Sequence, residues 1–168
     1  MSAFKSCRIA HEHTQTNTAP PEKVFSLLCP VREADWAPGW EYQLIYSDSG
    51  VAELGCVFTT PNAPAPGSQG QVAAEKTWIV TEYDPAAFRI GFVWISPGRV
   101  ATEIRIQLTR AAGAATLANI RYRYTGLSEE GNREVEAYDA KWFRNMMEGW
   151  ETAINSFLRT GKKIGAAG

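Results

Sequence analysis

Proton-handling side chains are scattered along this sequence, and none of them sits in a recognisable catalytic motif. At about 100° per helical residue, Asp139 falls near the middle of an apolar arc with Val135, Met146 and Trp150. A carboxylate in such a position is costly unless paired, protonated or wetted. Asp139 is therefore either a polar anchor or general acid/base at a cavity mouth, or an exposed acid near a helix start. His11 and His13 flank Glu12 and share a strand face with Cys7 and Ile9. Two histidines at i and i+2 suit a metal, but no third ligand is near, and a hydrogen-bonded or solvated pair is commoner. No metal site is expected. His11 and Tyr124 join Asp139 as candidates for moving protons.

Other reactive types read more plainly. The three cysteines, Cys7, Cys29 and Cys56, form no CxxC pair, which argues against a disulfide framework and a zinc site. Cys29 and Cys56 read as small buried hydrophobes without a histidine partner for nucleophilic catalysis. Glu33, Glu41 and Glu53 surround a tryptophan loop, and Glu33 lies one helical turn from Trp36, so both could line a pocket entrance. Arg99, after Pro97-Gly98, could meet a carboxylate or phosphate. For each of these a solvated surface charge is the commoner role. No GxGxxG, GxxxxGK[ST], HExxH or GxSxG occurs, and no cofactor is expected.

Composition narrows the class. The 168 residues are 45% hydrophobic and 21% charged, the balance of a globular protein with one core. Seventeen basic and eighteen acidic residues leave a net charge of −1. Nucleic acid and anionic membranes select a basic surplus, so neither is an expected partner. No run approaches the roughly 20 apolar residues of a membrane span, and Met1 to Cys7 lacks a signal-peptide core. A reduced, cytoplasmic location is the expectation.

Periodicity supplies the scaffold. Residues 4–17 alternate as a first strand, and Pro20-Pro21 open a short helix with Val24, Phe25, Leu27 and Leu28 on its apolar side. Residues 31–40 form a turn of helix and a loop carrying Trp36 and Trp40. Tyr42, Leu44 and Tyr46 alternate, Ser47 to Gly50 turns, and Leu54, Cys56 and Phe58 continue the pattern. Residues 61–70 are a Pro/Gly loop. Strands resume at Trp78 and Val80, at Phe88 to Trp94, at Val100 to Leu108, and at 117–125. After Gly131 the period becomes helical, predicting one amphipathic helix of roughly 28 residues and ~40 Å. Gly161 is its expected C-terminal cap.

This order resembles the helix-grip (SRPBCC-type) superfamily of START lipid-transfer domains, birch-pollen-allergen-like proteins, polyketide cyclases and chaperone ATPase activators. The resemblance rests on TAPPEKVFSLL (18–28), DWAPGWE (35–41) and MEGWETAINSFLRTGKK (147–163). It implies an α+β fold: a curved antiparallel sheet of about six to seven strands around a long C-terminal helix, with two short helices after the first strand. One domain over 1–168, with its core at about 4–160, is expected. The resemblance also implies a cavity between sheet and helix. Phe58, Trp78, Phe92, Trp94, Tyr122 and Tyr124 are expected to face it from the sheet, Tyr138, Asp139, Trp142, Met146 and Trp150 from the helix, and Trp36 and Trp40 from the loop. Such rings suit a partly polar pocket, since buried Tyr and Trp need hydrogen-bond partners.

Three functions fit. The first is a carrier or sensor for a small hydrophobic or aromatic molecule, the second a cyclase/dehydratase-like enzyme using the same cavity, and the third a chaperone-activator-like interaction domain. A homodimer is compatible with any of them.

Overall fold

The computed structural model describes residues 3–62 and 75–165. In chain order the elements are β1 (Arg8–Asn17), α1 (Pro21–Leu27), α2 (Pro30–Trp36), β2 (Gln43–Tyr46), β3 (Val57–Thr60), β4 (Lys76–Asp84), β5 (Arg89–Ser96), β6 (Val100–Arg110), β7 (Thr116–Gly126), α3 (Glu129–Ala137) and α4 (Ala140–Thr160). The strands form one antiparallel sheet in the order β1-β7-β6-β5-β4-β3-β2. Alternation decides which side chains enter the core. Val100, Thr102, Ile104, Ile106 and Leu108 of β6 are buried, as are Ala118, Ile120, Tyr122 and Tyr124 of β7. The opposite face carries ion pairs, among them Arg123 with Glu103 and Arg121 with Glu12 at 3.4 Å. Exposed pairs of this kind contribute little stability.

Several elements differ locally from the periodic reading. Leu54 belongs to a turn ahead of β3 and is 68% exposed, because Gly55 (φ +83°) reverses the chain there. Phe88 also lies outside its strand, at φ +54° in the β4–β5 turn. β2 is only four residues long and its pairing with β3 is bulged between Leu44 and Tyr46. Most of the expected 61–70 loop, from residue 63 onward, lies outside the described residues.

The expected single C-terminal helix is two helices. α3 starts with Ser128, whose side chain accepts from the Gly131 amide, and stops at Tyr138. α4 begins again with Asp139 in extended geometry, its carboxylate accepting from the Trp142 amide at 2.7 Å. A short acid at this position satisfies an orphan amide and complements the helix dipole. The wheel that put Asp139 inside the apolar arc assumed an unbroken helix. In the broken one Asp139 is exposed at the turn between the two.

α3 seats against the β5–β6 turn through a close backbone approach. A Cβ on Gly131 would lie 1.8 Å from the Arg99 carbonyl oxygen, so only glycine fits. α4 crosses the sheet and is tied to β1 by polar contacts. Glu151 accepts from the Thr16 amide, and Asn155 both accepts from the Thr18 amide and donates to the Thr16 carbonyl. Among the described residues no helix is long and apolar enough to cross a membrane.

Replacing Asp139 with Ala should lower unfolding free energy by about 1 kcal/mol through the lost cap, while Asp139→Asn stays near wild type. Urea denaturation of both variants measures the difference.

Candidate functional site

Between the inner sheet face, the segment after α2, and the two C-terminal helices lies a cavity of about 400 Å³. Register builds its floor. Trp78 of β4 pairs with Trp94 of β5, which pairs with Thr102 of β6, which pairs with Tyr124 of β7. Every second residue faces inward, so these side chains stand in a row. Tyr124 lies 4.8 Å from Tyr138, and Tyr138 lies 4.6 Å from Trp142 (ring centroids), carrying the aromatic lining onto the helices. Met146 and Trp150 continue along α4, and Ala37, Pro38, Gly39 and Trp40 close the opposite side. Two of the indoles are fixed by hydrogen bonds. Trp40 donates to the Pro30 carbonyl at 2.8 Å, and Trp78 donates to the Thr60 hydroxyl at 2.9 Å.

The expected lining residues are distributed between the cavity border, the packed core and the α3–α4 turn. Trp40, Trp78, Trp94, Tyr122, Tyr124, Tyr138, Trp142, Met146 and Trp150 border the cavity. Phe58 and Phe92 stand behind Trp78, at 5.3 and 6.2 Å, and belong to the packed core. Trp36 is fully buried in a second cluster, edge-on to Trp150 at 5.6 Å and donating to the Leu27 carbonyl. Its side chain leaves α2 on the face that packs against α1 and α4, away from the cavity. Asp139 caps α4 and does not line the cavity either. His11 approaches from behind: its Nε2 bonds the Tyr138 carbonyl at 2.6 Å, and its ring stacks on Phe143 at 5.2 Å. That carbonyl is freed by the helix break, so His11 has a structural task there.

The polar lining includes residues that the periodic reading treated as solvated. Glu33 of α2 is 6% exposed and borders the cavity, not the surface. Burial alone pushes its carboxyl well above the usual range, and among the described residues its side chain has neither an ion-pair nor a hydrogen-bond partner. Lys76 went unremarked beside the Pro/Gly loop, yet the alternation that faces Trp78 inward also faces Lys76 inward. Its Nζ sits 4.3 Å over the Trp94 ring. Burial holds its amine below the ordinary lysine range, and Glu134 opposes that shift.

The tyrosines have separate roles. Burial pushes the Tyr122, Tyr124 and Tyr138 phenols upward, so all three stay neutral. The Tyr138 hydroxyl donates to Glu134 at 2.6 Å, whose other oxygen accepts from Arg99 Nε at 2.8 Å. Arg99 also pairs with Glu130. Arg99 thus meets carboxylates, and its position is half-buried. The Tyr124 hydroxyl is buried with no hydrogen-bond partner among the described residues, a deficit that ordinarily costs about 1–3 kcal/mol. Among the described residues no group of three or more His, Cys, Asp or Glu could hold a metal.

Because the folded Glu33 carboxyl releases its proton at higher pH than an unfolded one, the folded state binds more protons above about pH 4.3. The stability linked to this group is therefore complete below that pH and declines as pH rises through the folded value. Glu33→Gln should flatten this decline and stabilise the protein at pH 8. Urea melts across pH 4–8 check it, and parallel profiles for variant and wild type would put Glu33 in solvent.

No protein-family model matches the chain, and no curated protein matches it. Solved structures do. The aromatase/cyclase ZhuI from Streptomyces sp. R1128 superposes with a TM-score of 0.69 at 13% identity, covering 94% of this chain and 100% of that one. Norcoclaurine synthase from Thalictrum flavum, in complex with dopamine and hydroxybenzaldehyde, gives 0.66 at 14% identity over 94% and 90%. Ara h 8.0201 gives 0.57 at 14% identity over 92% and 99%. With a seven-stranded antiparallel sheet wrapped on a long C-terminal helix and two short helices after the first strand, the chain has the helix-grip fold of these proteins.

Proposed function

We propose that this protein binds a small hydrophobic or aromatic molecule between its sheet and α4, as a carrier or sensor. The observation that carries the reading is an aromatic cavity of about 400 Å³ in which the Tyr124 hydroxyl and the Glu33 carboxyl lack protein partners. A bound molecule supplies both burial and the missing hydrogen bonds. Removing ~200 Å² of apolar surface from water contributes about 5 kcal/mol before the costs of association. The neutral tyrosines, and Glu33 whose charged form burial disfavours, offer donors and acceptors to a bound molecule.

An enzyme of the cyclase/dehydratase kind is the second reading. It draws on Glu33 and Tyr122, which both line the cavity, since a carboxyl with raised proton affinity sharing a pocket with a phenol can serve acid–base chemistry. The synthase and aromatase/cyclase among proteins of this fold are consistent with it, although one fold hosts many activities. Carrier and enzyme use the same cavity, so occupancy is the property to measure first.

Calorimetric titration with a neutral planar probe, 2-naphthamide, should give one saturable site with a Kd of about 10–100 µM. Met146→Trp, which fills the cavity, should weaken binding about tenfold or more while leaving the thermal midpoint near wild type. Non-saturable binding, or equal binding by the filled variant, would overturn the reading.

A further inference from the structure

Among the described residues Lys76 is the only cation lining the cavity. Its ammonium lies over the Trp94 ring at 4.3 Å and makes no ion pair or hydrogen bond with any described residue. An ammonium has three donors, so its bonding capacity toward the cavity is unused. The acids nearby cannot serve it. Glu134 spends both oxygens, on the Tyr138 hydroxyl and on Arg99 Nε, and Glu130 is also taken by Arg99. Glu33, the carboxyl that does border the cavity, makes no ion pair with Lys76, and its burial disfavours the charged form. The cavity wall therefore carries one ammonium that has no direct counter-ion among the described residues and feels Glu134 only through space.

Resting on the cavity reading above, we propose that the ligand is an aromatic or similarly planar carboxylate. Its anionic group pairs with the Lys76 ammonium, and its ring system lies against Trp78, Trp94 and Trp142. Several alternatives fit less well. A cationic ligand meets repulsion from Lys76. A phosphate ester carries about two charges, and such groups are held by arginine forks, several cations or helix N-termini, none of which lines the cavity. A fully neutral molecule leaves the ammonium unsatisfied in a partly desolvated place, where a charge-assisted hydrogen bond is at its strongest. Burial of the amine, which lowers its proton affinity, makes an incoming anion a net gain for the charged form. Tyr124 and Glu33 remain to meet a hydroxyl or carbonyl elsewhere on the molecule.

Three probes of one shape separate these cases at pH 7.5 and low salt: 2-naphthoate, 2-naphthamide and 2-naphthylmethylammonium. The expected order is naphthoate tightest, by about tenfold over the amide, with the ammonium weakest. Lys76→Met should bring the naphthoate-to-amide ratio close to one, and Lys76→Arg should restore it. Circular dichroism of both variants, with a wild-type spectrum expected, establishes that each is folded. Equal binding of naphthoate and amide by the wild type, a preference that survives Lys76→Met, or tightest binding of the ammonium overturns the anion proposal while leaving the cavity reading intact. Failure of all three probes overturns both.

Discussion

The interruption between α3 and α4 governs how the two faces of this molecule meet. Asp139 satisfies the first free amide of α4, and His11 on β1 takes the carbonyl that the break releases at Tyr138. A helix that continued straight from α3 would have neither bond to make. Through these two contacts the last strand pair and the long helix are held at a defined angle. The Tyr138 ring, turned inward at the break, becomes the corner of the aromatic wall. Glu134, one turn earlier, locks that ring by accepting from its hydroxyl, and Arg99 neutralises Glu134 from the β5–β6 turn. Buried pairs of this sort often add little net stability, but here the pair sets the direction of a side chain that borders the cavity.

Behind the wall the interior is ordinary. Phe58, Phe92, Ile104, Ile120 and Met147 belong to one buried cluster, and Trp36 anchors a second cluster with α4. The cavity differs in carrying polar groups, among them Glu33, Lys76 and the tyrosine hydroxyls, on an aromatic wall. A packed core normally satisfies every buried hydroxyl. Among the described residues the Tyr124 hydroxyl and the Glu33 carboxyl have no hydrogen-bond partner, and burial disfavours the charged form of Glu33. Indoles with fixed hydrogen bonds, Trp40 and Trp78, hold this wall in place.

Much of the fold could be read from the residues themselves. Strict alternation in β6 and β7 showed which faces are buried, and the proline pair at residues 20–21 marked the start of α1. The expected aromatic lining comes with the resemblance to the helix-grip superfamily, and alternation accounts only for the side chains that the strands contribute to it. The failures have identifiable causes. Nothing at Tyr138-Asp139 resembles a glycine or proline breaker, so a wheel of constant period runs through the break and carries Asp139 to the wrong side. The signal available was a capping acid ahead of a good helix former, which competes poorly with a strong apolar periodicity on either side. Trp36 ends α2 and Trp40 lies in the loop after it, not in one loop as expected, and their divergence depends on which face of a two-turn helix packs inward, a tertiary matter. Glu33 looked like a surface charge because a single acid on a short helix usually is one. Lys76 was recoverable from its i, i+2 relation to Trp78, and was hidden by its nearness to a loop.

The ladder between β1 and β7 joins segments far apart along the chain: Arg8, opposite Thr125, also donates to its hydroxyl across a separation of 117 residues. Loop closure over such a span is entropically slow, and its contacts reward the chain only after most of the sheet exists. During synthesis β1 emerges first and waits, unpaired along one edge, until β7 arrives. His11, which bonds the Tyr138 carbonyl, lies on β1, so the tie between the sheet and the α3–α4 junction depends on this long-range ladder.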